Sequence, residues 1–187
     1  MEIYIVRHTR VNVAPNLCYG QTDVPLADSF AADADIVRQK LPPLHECVVY
    51  ASPLSRCRKL AEQLYHGRIR YDPRLLELNF GAWEGQRWDT IPEIHLKTWA
   101  EDFVNLRCPG GESFQELFTR TAAFWEDLRP QSGALAIVVT HGGLIRALLA
   151  HVLHLPAEYA MRLNVDYGGV TKIHLNDDGP IVHYINR

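Results

Sequence analysis

Short apolar runs alternate with longer stretches of helical period along most of the chain. Residues 3–6 form the first run, apolar and β-rich, and predict a strand. Residues 11–28 hold Pro15, Gly20, Pro25 and several Asn and Asp, the composition of a loop. Across 28–41, Ala31, Ala32, Ile36 and Val37 fit a helix that Pro42-Pro43 ends. Residues 47–51 predict a second strand. Ser52 then reads as an N-cap and Pro53 as the first position of a helix reaching about residue 65. A short strand at 69–71 precedes an irregular segment, 72–92, with Gly81, Gly85 and Pro92. A weak helical signal covers 93–105. Pro109-Gly110-Gly111 makes a turn, and 112–128 is amphipathic. Residues 134–140 are the strongest strand, apolar on both faces and so buried on both. An apolar helix at 144–155 stops at Pro156, and strands near 165–175 and 181–186 close the chain.

This alternation predicts an α/β fold: a single domain over 1–187, a three-layer α/β/α sandwich with a mostly parallel central sheet. Such sheets bind ligands outside the carboxyl ends of their strands. Three polar clusters fall at that edge. They are Arg7-His8 after the first strand, residues 52–56 after the second, and His141-Gly142-Gly143 after the longest.

Composition narrows the partner. The formal charge is −3 over 187 residues, with no basic excess for nucleic acid. An anionic substrate therefore needs a local basic pocket. No apolar run approaches the ~20 residues of a membrane span. Nor does the first stretch carry the charged start and cleavage site of a signal peptide, so the expected location is the cytoplasm. Cys18, Cys47, Cys57 and Cys108 show no C-x-x-C spacing, which predicts reduced thiols and no zinc site. His151 and His154 lack a completing ligand and read as structural. Neither metal nor cofactor is expected.

The edge clusters suit phosphoryl chemistry. A neutral imidazole such as His8 is a nucleophile once its other nitrogen is held by a hydrogen bond. Arg7 and Arg56 offer guanidinium forks for phosphate oxygens, and His141 a further donor. Charge stabilisation of this kind carries most of phosphoryl transfer. Glu77, among apolar neighbours, reads as the proton donor to the leaving oxygen, with its proton affinity raised by partial burial. Glu84 is a rival acid and Glu112 a weaker one. Gln21 and Thr22 line the pocket or shape its loop. Trp83 and Trp88 read as core more readily than as a lid.

Six segments then carry a resemblance: Val6-Arg7-His8-Thr9, residues 18–26, residues 51–56, residues 76–85, residues 109–113, and Val139-Thr140-His141-Gly142-Gly143. Together, in this order, they resemble the histidine phosphatase superfamily in its phosphoglycerate mutase-like branch, over nearly the whole chain. The resemblance implies a phosphohistidine at His8, acid catalysis by Glu77, and a phosphate pocket of Arg7, Arg56 and His141, with Gly142 beside it. Length and the segments 19–26 and 76–85 look most like the α-ribazole phosphatase group. The chain departs from the family at Thr9, where Gly is usual, and at Val11 and Ala14, where Thr and Asn are common. Asn12 and Asn16 lie near the missing amide but out of register; either is a substitute, and Asn12 is counted with the phosphate-binding residues. The implied substrate is a small phosphate ester. Two rivals stand beside this reading: a phosphoglycerate mutase, and a non-catalytic module that binds phosphorylated ligands. Sequence leaves the oligomeric state open.

Overall fold

The computed structural model describes residues 1–129 and 133–187. Its sheet contains β1 (Glu2–Arg7), β2 (Val48–Ala51), β3 (Ile69–Tyr71), β4 (Leu135–Thr140), β5 (Val170–Asn176) and β6 (Gly179–Tyr184). The spatial order is β3-β2-β4-β1-β5-β6. The first four strands run parallel, and β5 and β6 extend the sheet antiparallel. The helices are α1 (Phe30–Gln39), α2 (Ser55–Leu64), α3 (Glu93–Glu101), α4 (Phe114–Leu128) and α5 (Gly142–Val152). Among the described residues, no helix is long and apolar enough to cross a membrane.

Side chains on a strand alternate between faces, so an uninterrupted apolar run feeds two cores. Ile3, Ile5, Ala136 and Val138 pack with Leu117, Phe124, Ile145 and Leu148 of α4 and α5. Tyr4, Val6, Ile137 and Val139 pack with Ala34, Val37, Cys57 and Leu60 of α1 and α2. That is the three-layer arrangement expected from the sequence.

Several elements begin elsewhere than their sequence signals indicate. α2 begins at Ser55 and not at Pro53. Ser52 lies too far ahead to cap it. Asp23 does so from the loop, its Oδ1 accepting from the Ser55 N–H at 3.0 Å and hydroxyl at 2.7 Å. α4 starts at Phe114, behind a capping box in which the Ser113 hydroxyl accepts from the Glu116 N–H and the Glu116 carboxylate from the Ser113 N–H. α5 starts earlier than its apolar period indicates, at Gly142. β5 starts later, at Val170, because 165–169 turn across the strand ends.

β1 and β4 are neighbours in the middle of the sheet. The chain leaves β1 toward α1 on one face and leaves β4 toward α5 on the other. Their carboxyl ends therefore diverge and open a crevice.

Candidate active site

Parallel pairing sets the floor of the crevice. Arg7 lies opposite Thr140 in the ladder, and the His8 N–H continues it to the Thr140 carbonyl at 2.9 Å. One step beyond, His8 and His141 face each other with ring centroids 5.2 Å apart. The His8 Nδ1 lies 2.8 Å from the Thr9 carbonyl oxygen. A carbonyl only accepts, so Nδ1 carries the proton and Nε2 keeps a free lone pair. Burial pushes the His8 pKa well below the ordinary histidine range, and the Arg56 and Arg7 charges push the same way against the Thr9 bond. His8 is thus a neutral imidazole with its nucleophilic nitrogen unblocked.

His141 is fixed in the opposite tautomer. The Arg56 Nε–H donates to its Nδ1 at 3.3 Å, so Nε2 bears the hydrogen and donates to the Ser52 hydroxyl at 2.8 Å. Burial depresses its pKa too, followed by His8 and Arg56. Both ring nitrogens are engaged. Donation from His141 to a phosphate therefore requires Nε2 to exchange its Ser52 partner. Behind it, the Cys57 thiol sits 3.5 Å from Nε2, and burial pushes its pKa upward.

Arg56 is fully buried on the first turn of α2. Besides Nε, its Nη1 donates to the Thr22 carbonyl at 2.9 Å and its Nη2 to the Gly20 carbonyl at 2.6 Å. A guanidinium has five N–H donors, so two remain for an anion. Arg7 is freer. Its Nη1 donates to the Val165 carbonyl at 2.6 Å, and its buried Nε has no partner among the described residues. Gly142 lies against it: a Cβ there would stand 3.2 Å from the Arg7 Nε and 3.2 Å from Nη1 of Arg146. Any larger residue would crowd both cations.

Glu77 closes another side. Its Oε2 accepts from the Gly143 N–H at 3.0 Å and its Oε1 from the Leu78 N–H at 3.0 Å. The first bond seats the carboxyl group on the N-terminus of α5, where the helix dipole favours negative charge. Glu77 is half-buried, and both its oxygens accept hydrogen bonds where the sequence reading expected apolar surroundings. The rival acids are otherwise employed. Glu84 accepts from the backbone N–H of Gln21 at 2.9 Å, of Thr22 at 2.6 Å and of Phe80 at 3.0 Å. Glu112 pairs with Arg120 at 2.9 Å. Glu77 makes no ion pair among the described residues.

Gln21 and Thr22 act as loop supports. The Gln21 side chain donates to the Glu77 carbonyl at 2.9 Å, the Thr22 carbonyl holds Arg56, and the Thr22 hydroxyl donates to Glu84. Asn12 is exposed on the Val11–Leu26 bridge, and its side chain has no hydrogen-bond partner among the described residues. Trp83 and Trp88 belong to an aromatic cluster with Phe80 and Trp99, as the core reading expected.

Two participants escaped the sequence reading, and a third, Ser52, was placed at the edge but read as an N-cap; it orients His141. Arg120 clamps the backbone under Glu77, donating to the carbonyls of Arg74, Leu76 and Glu77 at 2.7, 2.6 and 2.8 Å. Arg146 brings a third guanidinium beside Arg7, its pKa lowered by burial and by that neighbour, with Glu77 and Asp166 opposing. The position of Arg146 one turn into α5, after His141-Gly142-Gly143, was the available signal. Among the described residues, no three His, Cys, Asp or Glu side chains are grouped as metal ligands.

The model of the histidine phosphatase superfamily (branch 1) matches residues 3–187. A Shigella boydii protein named "Probable phosphoglycerate mutase GpmB" is 33% identical over 184 residues, covering 92% of this chain and 84% of its own. The crystal structure of the α-ribazole phosphatase from Shigella flexneri shares the fold, with a TM-score of 0.91 at 24% identity over 100% of this chain and 96% of that one. A phosphoserine phosphatase from Entamoeba histolytica, crystallised as a mutant in complex with phosphoserine, shares it at a TM-score of 0.84 and 20% identity, over 99% and 96% of the two chains.

Proposed function

The chain belongs to branch 1 of the histidine phosphatase superfamily, and we propose that His8 is the nucleophile with which it hydrolyses phosphomonoesters. The observation that carries this reading is a sealed, neutral His8, its Nε2 free, set among Arg7, Arg56 and His141.

The Nε2 lone pair of His8 attacks phosphorus in line with the ester bond, which breaks toward the leaving oxygen. Arg7 and the two spare donors of Arg56 take the charge on the equatorial oxygens. Glu77 delivers its proton to the leaving oxygen. In the second step Glu77 removes a proton from water, whose oxygen attacks the phosphohistidine. Inorganic phosphate leaves and His8 is regenerated. Guanidinium and imidazole groups supply the charge compensation, so turnover is expected to survive chelation.

The proposed substrate is α-ribazole 5′-phosphate. Support comes from the segments 19–26 and 76–85, and from the fold shared along the full chain with the Shigella flexneri α-ribazole phosphatase. The test is phosphate release in excess EDTA from that ester, phosphoserine, 3-phosphoglycerate and ribose 5-phosphate. At least tenfold higher kcat/KM for α-ribazole 5′-phosphate is expected. Uniformly slow release from all four would remove this substrate and keep the chemistry. Interconversion of phosphoglycerates would make the chain a mutase. Phosphate binding without any release would favour a binding module.

A further inference from the structure

The pocket is covered. His8 is 1% exposed, and Arg56 and His141 are 0% exposed. These residues present almost no surface, so a phosphate ester needs more room around Nε2 than the resting pocket gives. Two tyrosines make the cover. Tyr167 lies over Arg7, with the guanidinium carbon 3.8 Å from its ring centroid, and its ring is 5.5 Å from that of His8. Tyr19 lies over Arg56 at 5.1 Å. Their hydroxyls meet at 2.7 Å, so one hydrogen bond closes a bridge from one phosphate-binding arginine to the other.

Each tyrosine is followed by a glycine in the left-handed region, Gly20 at φ +31° and Gly168 at φ +66°. Gly20 is held fast, its carbonyl accepting from Arg56 and a Cβ there running into the Glu84 Oε1, so Tyr167 is the arm with room to move. A cavity of about 330 Å³, lined by Ile36, Val37, Lys40 and Tyr167 itself, lies beside the Tyr167 ring. It gives the ring somewhere to go. The exposed edge of Tyr167 leaves the hydroxyl pair at the solvent boundary, where the alcohol portion of an ester must sit once its phosphoryl group is inside.

We infer that Tyr19 and Tyr167 form a gate that opens to admit the phosphoryl group and whose freed hydroxyls then hydrogen-bond a hydroxylated leaving group, making this pair the selector for sugar phosphates. This inference rests on the phosphatase reading. Opening breaks the hydrogen bond between two neutral hydroxyls and slides the Tyr167 ring off Arg7, and closing on a sugar replaces the hydrogen bond.

The test uses Tyr19→Phe, Tyr167→Phe and the double variant, which keep both rings over their arginines. Inorganic phosphate is the first probe, its association rate followed by stopped-flow tryptophan fluorescence or by phosphorus NMR line shape. Either single variant should bind phosphate roughly five-fold faster, the equivalent of one neutral hydrogen bond. The double variant should add nothing further, because both substitutions remove the same bond. With substrates, kcat/KM should fall for ribose 5-phosphate and rise for p-nitrophenyl phosphate, which offers no sugar hydroxyls. Unchanged association rates, or two independent additive increments, would overturn the gate. Parallel changes for both esters would overturn its role as selector. If phosphate association responds as expected while no ester is hydrolysed, the gate stands and the phosphatase reading fails.

Discussion

The floor of the site and its rim are built on different principles. The floor is the ends of β1 and β4 with the first turns of α2 and α5. There the ladder itself places His8 beside His141, and the apolar alternation that buries the strands fixes which side chain faces which layer. The rim is the loop before α1 and the segment between β3 and α4. Outside α3 it has little regular structure, and carboxylates help tie it together by collecting backbone N–H groups. The floor is redundant, since many small contacts agree on one geometry. The rim leans on fewer: Glu84 gathers the N–H groups of Gln21, Thr22 and Phe80, beside three backbone bonds that join Asn16 and Cys18 to residues 85–88. On the proposed reading the floor holds the nucleophile and the phosphate donors, while the rim supplies Glu77 and Tyr19 and is the part that a few substitutions can reshape.

The sharpest way to split the two is His8→Ala. It should lower phosphate release by roughly 10⁴-fold or more, as loss of a nucleophile does. The melting temperature should stay close to that of the parent. A folded His8→Ala protein with near-normal turnover would end the phosphohistidine proposal.

The floor should also show itself in the pH dependence of stability. His8 and His141 are both held below the ordinary histidine pKa in the folded chain, chiefly by burial. Below about pH 6.5 the unfolded chain binds protons that the folded one refuses. Stability therefore rises with pH through this window and is lost as pH falls. The two histidines together contribute a slope of up to about 2.7 kcal/mol per pH unit. Urea unfolding between pH 5 and 7 should reveal it, and the His8→Ala, His141→Ala double variant should flatten it. An unaltered slope would mean that the two imidazoles are not the groups resisting protonation.

The mildest effect is expected at the rim. Glu84→Ala leaves three N–H groups without their acceptor and should lower stability by about 2 kcal/mol, with partial relief from water. Activity should drop about tenfold, because Thr22 loses its anchor and Arg56 its support. A drop as deep as that of His8→Ala would make Glu84 part of the chemistry and erase the distinction between the regions.

The same division explains what could be read from the amino-acid sequence. Strand positions were legible because an apolar run bounded by turn residues has few alternatives, and the polar clusters that follow marked Arg7, His8, Arg56 and His141 directly. Ser52 was misread because capping is a local rule, whereas its partner, His141, comes from another strand. Arg146 was hidden in a helix whose period reports only burial. Glu84 passed for a rival acid because a carboxylate that caps loop amides and one that donates a proton carry the same letter. Asn12 was chosen by proximity along the chain, but the Val11–Leu26 bridge leaves it in solvent.

Strand β1 has one further consequence, for the way the protein is made. Its ladder partners are β4 and β5, both far downstream. During synthesis the strand that leads into His8 emerges before both partners and has no edge to join until Leu135 and then Val170 have left the ribosome. Such distant pairing slows folding. The apolar stretch from Ile3 to Val6 meanwhile stays open to chaperones and to other nascent chains. A truncated chain that stops before β5 would bear His8, the proposed nucleophile, without the strand that flanks it. Catalytic competence should therefore arrive late and abruptly in translation.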